Sequence, residues 1–416
     1  MTSARVRRTC ALCGTGTAGH VVLSLPSTPC ANGFVGKPQE QERFPLDLQL
    51  CPAPECGHLQ LAAVVSPSLL FDNYVYASGT SPSFVKHFGD YAERAIDLLG
   101  LDEKSFVVDV GSNDGTLLRQ FVERGVPGVH GVEPARGIAE IAESRGVPTT
   151  VAFLDAALAL DLRDRFGPAD LVTANNVFAH IGDLAQAASD VRSLLGPRGV
   201  FIFEVSYLAD VVEGLLFDTI YHEHVAYHAV RPLVRFFDRM GMTLFDVERV
   251  PTHGGSIRVH VANDDRAVSP RVAELVRSEE EAALFSARTY EDFGERIRTR
   301  GQKLREQIAT LKHDGWRFCG YGAPAKLTTL MYSFALDADD VEFIVEDSPL
   351  KRGLFTPGTH IPVVGPERLA EVSGQRYCAL VFAWNYYDNI VAGHADWSGL
   401  WMNPLTLARL DGRAVE

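Results

Sequence analysis

The sequence predicts an α/β protein in three parts, and three observations carry that prediction. Two close cysteine pairs occupy the first ~70 residues. Two separate strand, glycine loop, helix units follow, one near residue 110 and one near residue 320. The chain also has 416 residues, too many for one ordinary domain of roughly 100–200. We place the parts at 1–70, 71–250 and 251–416. Apolar residues make up 46% and charged residues 22%, which fits a packed core and excludes a mainly disordered chain. The net charge of −14 argues against nucleic acid and anionic membrane as partners, so any anionic ligand must be held by local positive charge. No apolar run approaches the ~18 residues of a membrane span, and the first residues lack the apolar stretch of a signal peptide. A cytoplasmic protein is expected.

The first part is defined by Cys10 and Cys13 (CxxC) and by Cys51 and Cys56 in CPAPECGHLQL. Two such pairs in a reducing compartment read as four thiolates around one tetrahedral zinc ion. Four soft ligands leave no open position, so the metal is expected to be structural. Cys30, Cys319 and Cys378 stand alone.

A linker with Tyr74 and Tyr76 leads to a helical stretch and then to SFVVDVGSNDGTLLRQF. Here a β-branched run ends in a tight loop, with Gly111, Asn113 and Gly115, that opens a helix. The next strand ends at Glu133, where an acid can bind ribose hydroxyls. Asp109 and Asp114 place carboxylates beside the helix N-terminus. A diphosphate is repelled by them, whereas a ligand with an ammonium and a sulfonium is attracted. The loop thus favours S-adenosylmethionine over a nicotinamide dinucleotide.

Beyond the strand FIFEVSYL, the segment FDTIYHEHVAYH gathers Tyr221, His222, Glu223, His224 and His228. The H-E-x-x-H spacing of a zinc site is missing, and a position after a strand C-terminus suits acid–base chemistry better than a structural role. PTHGGSIRVHV then brings His253 and Arg258, and a charged helical connector runs from about Ser269 to Lys312. The second loop, CGYGAPAK, has no acid and is followed by Lys326, which suits a pyrophosphate. Tyr321, Glu346, Lys351 and Arg352 lie in the same unit. Taken alone, this loop allows a nicotinamide-dependent (NAD(P)) nucleotide-sugar oxidoreductase, although Ala325 stands where the third glycine of the fingerprint belongs. A non-catalytic nucleotide-sugar binding protein is a further alternative.

DVGSNDG resembles the nucleotide loop of class I S-adenosylmethionine-dependent methyltransferases, and CxxC…CPxxxCGHLQL resembles the zinc module of the nucleotide-sugar C-methyltransferases. The likeness covers nearly the whole chain and is greatest for the C-3′ methyltransferases of the dTDP-D-tetronitrose type. It implies a zinc-binding module, a central class I methyltransferase (Rossmann-like) domain and a C-terminal Rossmann-like α/β domain that helps to bind the nucleotide-sugar. It implies donor contacts at Asp109, Gly111, Asn113, Gly115, Glu133 and Asn175, with Phe153 and Leu154 flanking the adenine. His224 becomes the general base, with Tyr221, Glu223, His180 and Tyr76 (or Tyr74) in the same pocket. His253, Arg258, Tyr321, Lys326, Glu346, Lys351 and Arg352 become substrate contacts. The implied reaction is base-catalysed methylation at C-3′ of a dTDP-4-keto-deoxysugar in antibiotic deoxysugar biosynthesis. A monomer is expected, because three modules can cover one site.

Overall fold

The computed structural model describes residues 3–71, 79 and 82–411. Tyr74 and Tyr76 therefore lie outside the described residues. Parallel, fully buried strands need helices on both faces, and the apolar runs of the sequence form them. The central sheet has seven strands in the spatial order Thr243–Val250, Ser256–Ala262, Leu195–Ser206, Ala169–Asn175, Phe106–Val110, Gly128–Val132 and Thr149–Thr150. Ser256–Ala262 runs antiparallel to both its neighbours, and the other pairings are parallel. The strand order reverses between Phe106–Val110 and Ala169–Asn175, the place where doubly wound sheets bind ligands. This is the expected class I architecture.

Strand Ser256–Ala262, just beyond the boundary expected at 250/251, pairs along its whole length with Leu195–Ser206 and so adds to the central sheet. The Gly254–Gly255 pair lies in the hairpin return that leads into it from Thr243–Val250.

The C-terminal sheet runs Val363–Val364, Ile344–Val345, Arg317–Tyr321, Tyr377–Val381, Leu400–Met402 and Arg409–Asp411, the last strand antiparallel. In chain order that is 3-2-1-4-5-6, the dinucleotide-fold order. The connector forms two helices, Pro270–Glu281 and Ala287–His313. The second buries Tyr290, Phe293, Ile297, Leu304, Ile308 and Leu311, so it is a packed spine and not a solvated arm.

The cysteine module contributes strands Val21–Thr28, Phe44–Leu50 and Leu59–Leu61, and Ala226–Tyr227 of the central part adds a fourth strand beside Leu59–Leu61. One apolar cluster contains Leu25 and Leu48 of this module, Phe217 and Tyr227 of the centre, and Leu304, Phe334 and Leu380 of the C-terminal part. The three parts thus share a core, which fixes them around a common junction. Among the described residues, no helix is long and apolar enough to cross a membrane.

Candidate active site

Cys10, Cys13, Cys51 and Cys56 converge with all four sulfurs within 4.8 Å of one another. The Cys10–Cys56 and Cys13–Cys51 sulfurs are 3.8 and 3.4 Å apart. Sulfurs bound at ~2.3 Å to one tetrahedral ion stand about 3.8 Å apart, so the cluster fits zinc. Burial pushes the Cys51 thiol up to about 12, a penalty that a bound dication removes. Between Cys10 and Cys13 the Ala11 N–H donates to the Gln60 side-chain oxygen at 2.8 Å, which also accepts from Arg7 at 3.3 Å.

The first glycine loop follows strand Phe106–Val110, and three of its residues take positive φ: Gly111 at 69°, Asn113 at 51° and Gly115 at 74°. A Cβ on Gly111 would lie 2.4 Å from Val177 Cγ2, so the loop is pressed against the end of strand Ala169–Asn175. Glu133 accepts the N–H groups of Asn113 and Ala135 at 3.0 and 2.9 Å. Asp109 accepts the Thr173 hydroxyl at 2.6 Å, and burial, aided by Glu133, pushes it up to about 7. Burial likewise raises Glu133. Two buried acids raised together make a site that a cationic ligand relieves. Asp114 does not share this role: Arg145 pairs with it at 2.8 Å, and the Thr116 hydroxyl donates to it at 2.5 Å. Phe153 is exposed and Leu154 half-buried against the central core.

Of the candidate acid–base residues, His180 lies on the loop after strand Ala169–Asn175, and Tyr221–His224 follow helix Leu208–Glu213 and the 3-10 turn Phe217–Thr219. His224 Nδ1 lies 2.8 Å from the Thr219 carbonyl oxygen, which can only accept, so Nδ1 carries the hydrogen. Its Nε2 keeps the lone pair and accepts the Tyr221 O–H at 2.9 Å. The His180 ring centroid is 5.0 Å from that of His224. Burial holds His224 down to about 4, His253 to about 4 and His180 well below the usual range, so all three are neutral at pH 7. His253 has positive φ and lies 3.4 Å from the Asn176 amide. Glu223 moves the other way: burial pushes it up to about 7, against the pull of Asn32 and Lys351. His222 and His228 face the carbonyls of Phe44 and Phe178 and are structural.

The C-terminal residues divide. Lys326 donates to Asn385 at 2.7 Å and stacks 3.5 Å over the Trp384 ring, whose indole N–H donates to buried Asp218 at 2.6 Å. Burial lowers Lys326 to about 8, and Asp218 partly offsets this. Lys351 donates to the Ala323 carbonyl at 2.7 Å and faces Glu223 and Glu346. These two lysines flank the histidine cluster. Arg258 does not join them: it is buried in the central sheet, donating to Glu204 at 2.7 Å. Arg352 is held by the carbonyls of Glu346 and Asp347 at 3.0 and 2.6 Å. Glu346 accepts the N–H groups of Ala323 and Ser348, and Tyr321 donates to Asp347 beside His394.

Asn32, Asn176, Asp218 and Trp384 were missed from sequence. Asn176 had a signal, the doubled asparagine before VFAHI, and Trp384 stood in the polar loop after LVFA. Asn32 and Asp218 had none, because their partners are 191 and 166 positions away.

Family models match residues 10–71 as a zinc binding domain, 84–246 as a methyltransferase domain and 251–405 as a C-methyltransferase C-terminal domain. The chain is 35% identical to the C-methyltransferase NovU of Streptomyces niveus over 378 residues, 89% of this chain and 88% of that one. Among solved structures, magnesium protoporphyrin IX methyltransferase of Synechocystis PCC 6803 with bound S-adenosylmethionine is 15% identical, with a TM-score of 0.33 over 46% of this chain and 86% of that one. An S-adenosylmethionine-dependent methyltransferase of Anabaena variabilis ATCC 29413 is 14% identical, with a TM-score of 0.36 over 45% of this chain and 86% of that one. With family models over all three parts and a relative matched along nearly its whole length, the chain belongs to the S-adenosylmethionine-dependent C-methyltransferase family.

Proposed function

We propose that the enzyme methylates C-3′ of a dTDP-linked 4-keto-deoxysugar, with dTDP-3-amino-2,3,6-trideoxy-4-keto-D-glucose as the preferred substrate. The observation that carries this reading is the tautomer of His224: its Nδ1–H is fixed by Thr219, and the lone pair on its buried Nε2, held by the Tyr221 O–H, takes a proton when that hydroxyl turns to the substrate. A carbon beside a ketone becomes nucleophilic only after losing its proton, and His224 is the group assigned to remove it. As negative charge develops on the 4′-oxygen, the imidazolium formed at His224 is stabilised by that charge, which offsets the low starting basicity. Tyr221, able to donate an O–H, and His180 line the same pocket and serve the enolate oxygen.

Asp109, Glu133 and the Gly111–Gly115 loop are assigned to the donor, with Asn175 and Phe153 at its margins. When bound, S-adenosylmethionine supplies the electrophilic methyl group. Lys326 and Lys351 are the assigned contacts for the nucleotide diphosphate, and the cysteine cluster is assigned a structural zinc ion. Mass spectrometry of the keto-sugar nucleotide after incubation with donor is expected to show the gain of one methyl. His224→Asn is expected to lower kcat by about 10²–10⁴-fold while donor binding persists. An unmethylated product, or full activity in that variant, overturns the reading.

A further inference from the structure

The loop around Cys30, which follows strand Val21–Thr28 of the cysteine module, runs into the junction of the three parts. Ala31 accepts the Thr328 hydroxyl at 3.3 Å. Val35 and Phe355 exchange two backbone hydrogen bonds of 3.1 and 2.8 Å, and the Gln41 side chain accepts the Gly358 N–H at 2.8 Å. Gln41 also donates to the Gly33 carbonyl at 2.7 Å, which ties the two ends of the loop together. Between these anchors the Asn32 amide donates to Glu223 Oε1 at 2.8 Å. Two positions on, the Phe34 ring lies 4.9 Å from Lys351 Nζ.

Deepening the functional reading above, we propose that Asn32 is a positioning residue of the methyl-transfer site, supplied by the cysteine module, which orients Glu223 and favours its charged form. A side-chain amide donates to a carboxylate more strongly than to a carboxylic acid, so the contact selects the ionised state. Glu223 is almost fully buried and adjoins His224 in sequence, so a change in its orientation is carried to the segment that holds His224. The groups facing it are few. Lys351 is the cation, itself opposed by Glu346. The Cys30 thiol is kept neutral, pushed up to about 11 by burial and by Glu223 and Glu42. On its own segment, His222 and His224 are turned to the Phe44 and Thr219 carbonyls. Asn32 and Lys351 thus offset the burial of Glu223 from two different parts of the chain.

The test compares the pH dependence of kcat/KM in the wild type, Asn32→Leu and Asn32→Asp, with zinc content and donor affinity measured alongside. Asn32→Leu removes the donor at nearly constant volume and is expected to move the limb near pH 7 upward by about one unit, a roughly tenfold loss at pH 6. Asn32→Asp places a second carboxylate against Glu223 and is expected to move it further in the same direction. A uniform loss at all pH values, or a profile that superimposes on the wild type, overturns the proposal. Asn32→Asp keeps it open to refutation if the leucine variant fails to fold. Difference infrared spectroscopy of the Glu223 carboxyl, wild type against Glu223→Gln, reads the same ionisation without turnover. Absence of methyl transfer in the wild type would therefore sink the functional reading alone, whereas an unshifted carboxyl would sink this one.

Discussion

Burial splits the titratable groups of the site into two sets with opposite responses to pH. His224 and His253, held down to about 4, keep their lone pairs throughout the neutral range. Glu223, pushed up to about 7, is protonated below that pH and charged above it. Asp109, Asp218 and Lys326 also change state between pH 5 and 8, but Glu223 is the one next to His224 in the chain, so kcat/KM is expected to rise with pH through about 7. Glu223→Gln is expected to lower the plateau and flatten that rise. The same shift bears on stability. A carboxyl raised on folding stabilises the native state at low pH, and that contribution is lost as pH rises through about 7. Charging Glu223 therefore costs about 3 kcal/mol at pH 8 and about 1 kcal/mol at pH 5. Glu223→Gln should raise Tm more at pH 8 than at pH 5. Tyr221, Glu223 and His224 were legible from sequence because three consecutive-turn positions hold them together. Arg258, expected as a substrate contact, is paired with Glu204, which lies 54 positions away and leaves no local signal.

At the scale of elements, the 3-10 turn Phe217–Thr219 carries the carbonyl that sets the His224 tautomer. The C-terminal part clamps that turn twice, through Trp384 on Asp218 and through the Thr329 hydroxyl on the Ile220 carbonyl at 2.7 Å. Asp218 is buried and raised by burial to about 6, so the indole donor supports its ionised form. Trp384→Phe removes that donor and keeps a ring beneath Lys326. It is expected to destabilise the fold by about 1.5–3 kcal/mol and to lower kcat more than it raises KM for the donor. Thermal unfolding and steady-state kinetics check both. The two glycine loops and their strands were legible because glycine spacing and β-branched runs are local signals. That Ser256–Ala262 pairs into the central sheet was not legible, because its partner Leu195–Ser206 lies fifty or more positions earlier.

Across the whole molecule, the cysteine module does more than gather four thiols that fit a metal ion. It gives up one sheet edge to Ala226–Tyr227, just after the Tyr221–His224 segment, and sends the Asn32 loop into the junction. Metal removal is therefore expected to act at a distance. Chelation, or Cys13→Ser, should lower Tm and cut kcat by roughly tenfold or more, with donor affinity changed by less than about twofold. Calorimetry, metal analysis and donor titration read the three quantities. The net charge of −14 was informative only as a constraint on where cations must lie. The structure puts Lys326 and Lys351 beside the histidines and commits Arg258 and Arg352 elsewhere.

The claim on which the account rests is that the protein, before any methyl group moves, makes the C-3′ proton labile through His224. Proton NMR of a dTDP-4-keto-deoxysugar incubated with the enzyme in D2O, without S-adenosylmethionine, tests it most directly. The C-3′ proton signal should wash out with the wild type and persist with His224→Asn. Persistence with a wild type that methylates the same sugar, or wash-out at an equal rate in the variant, would contradict the account.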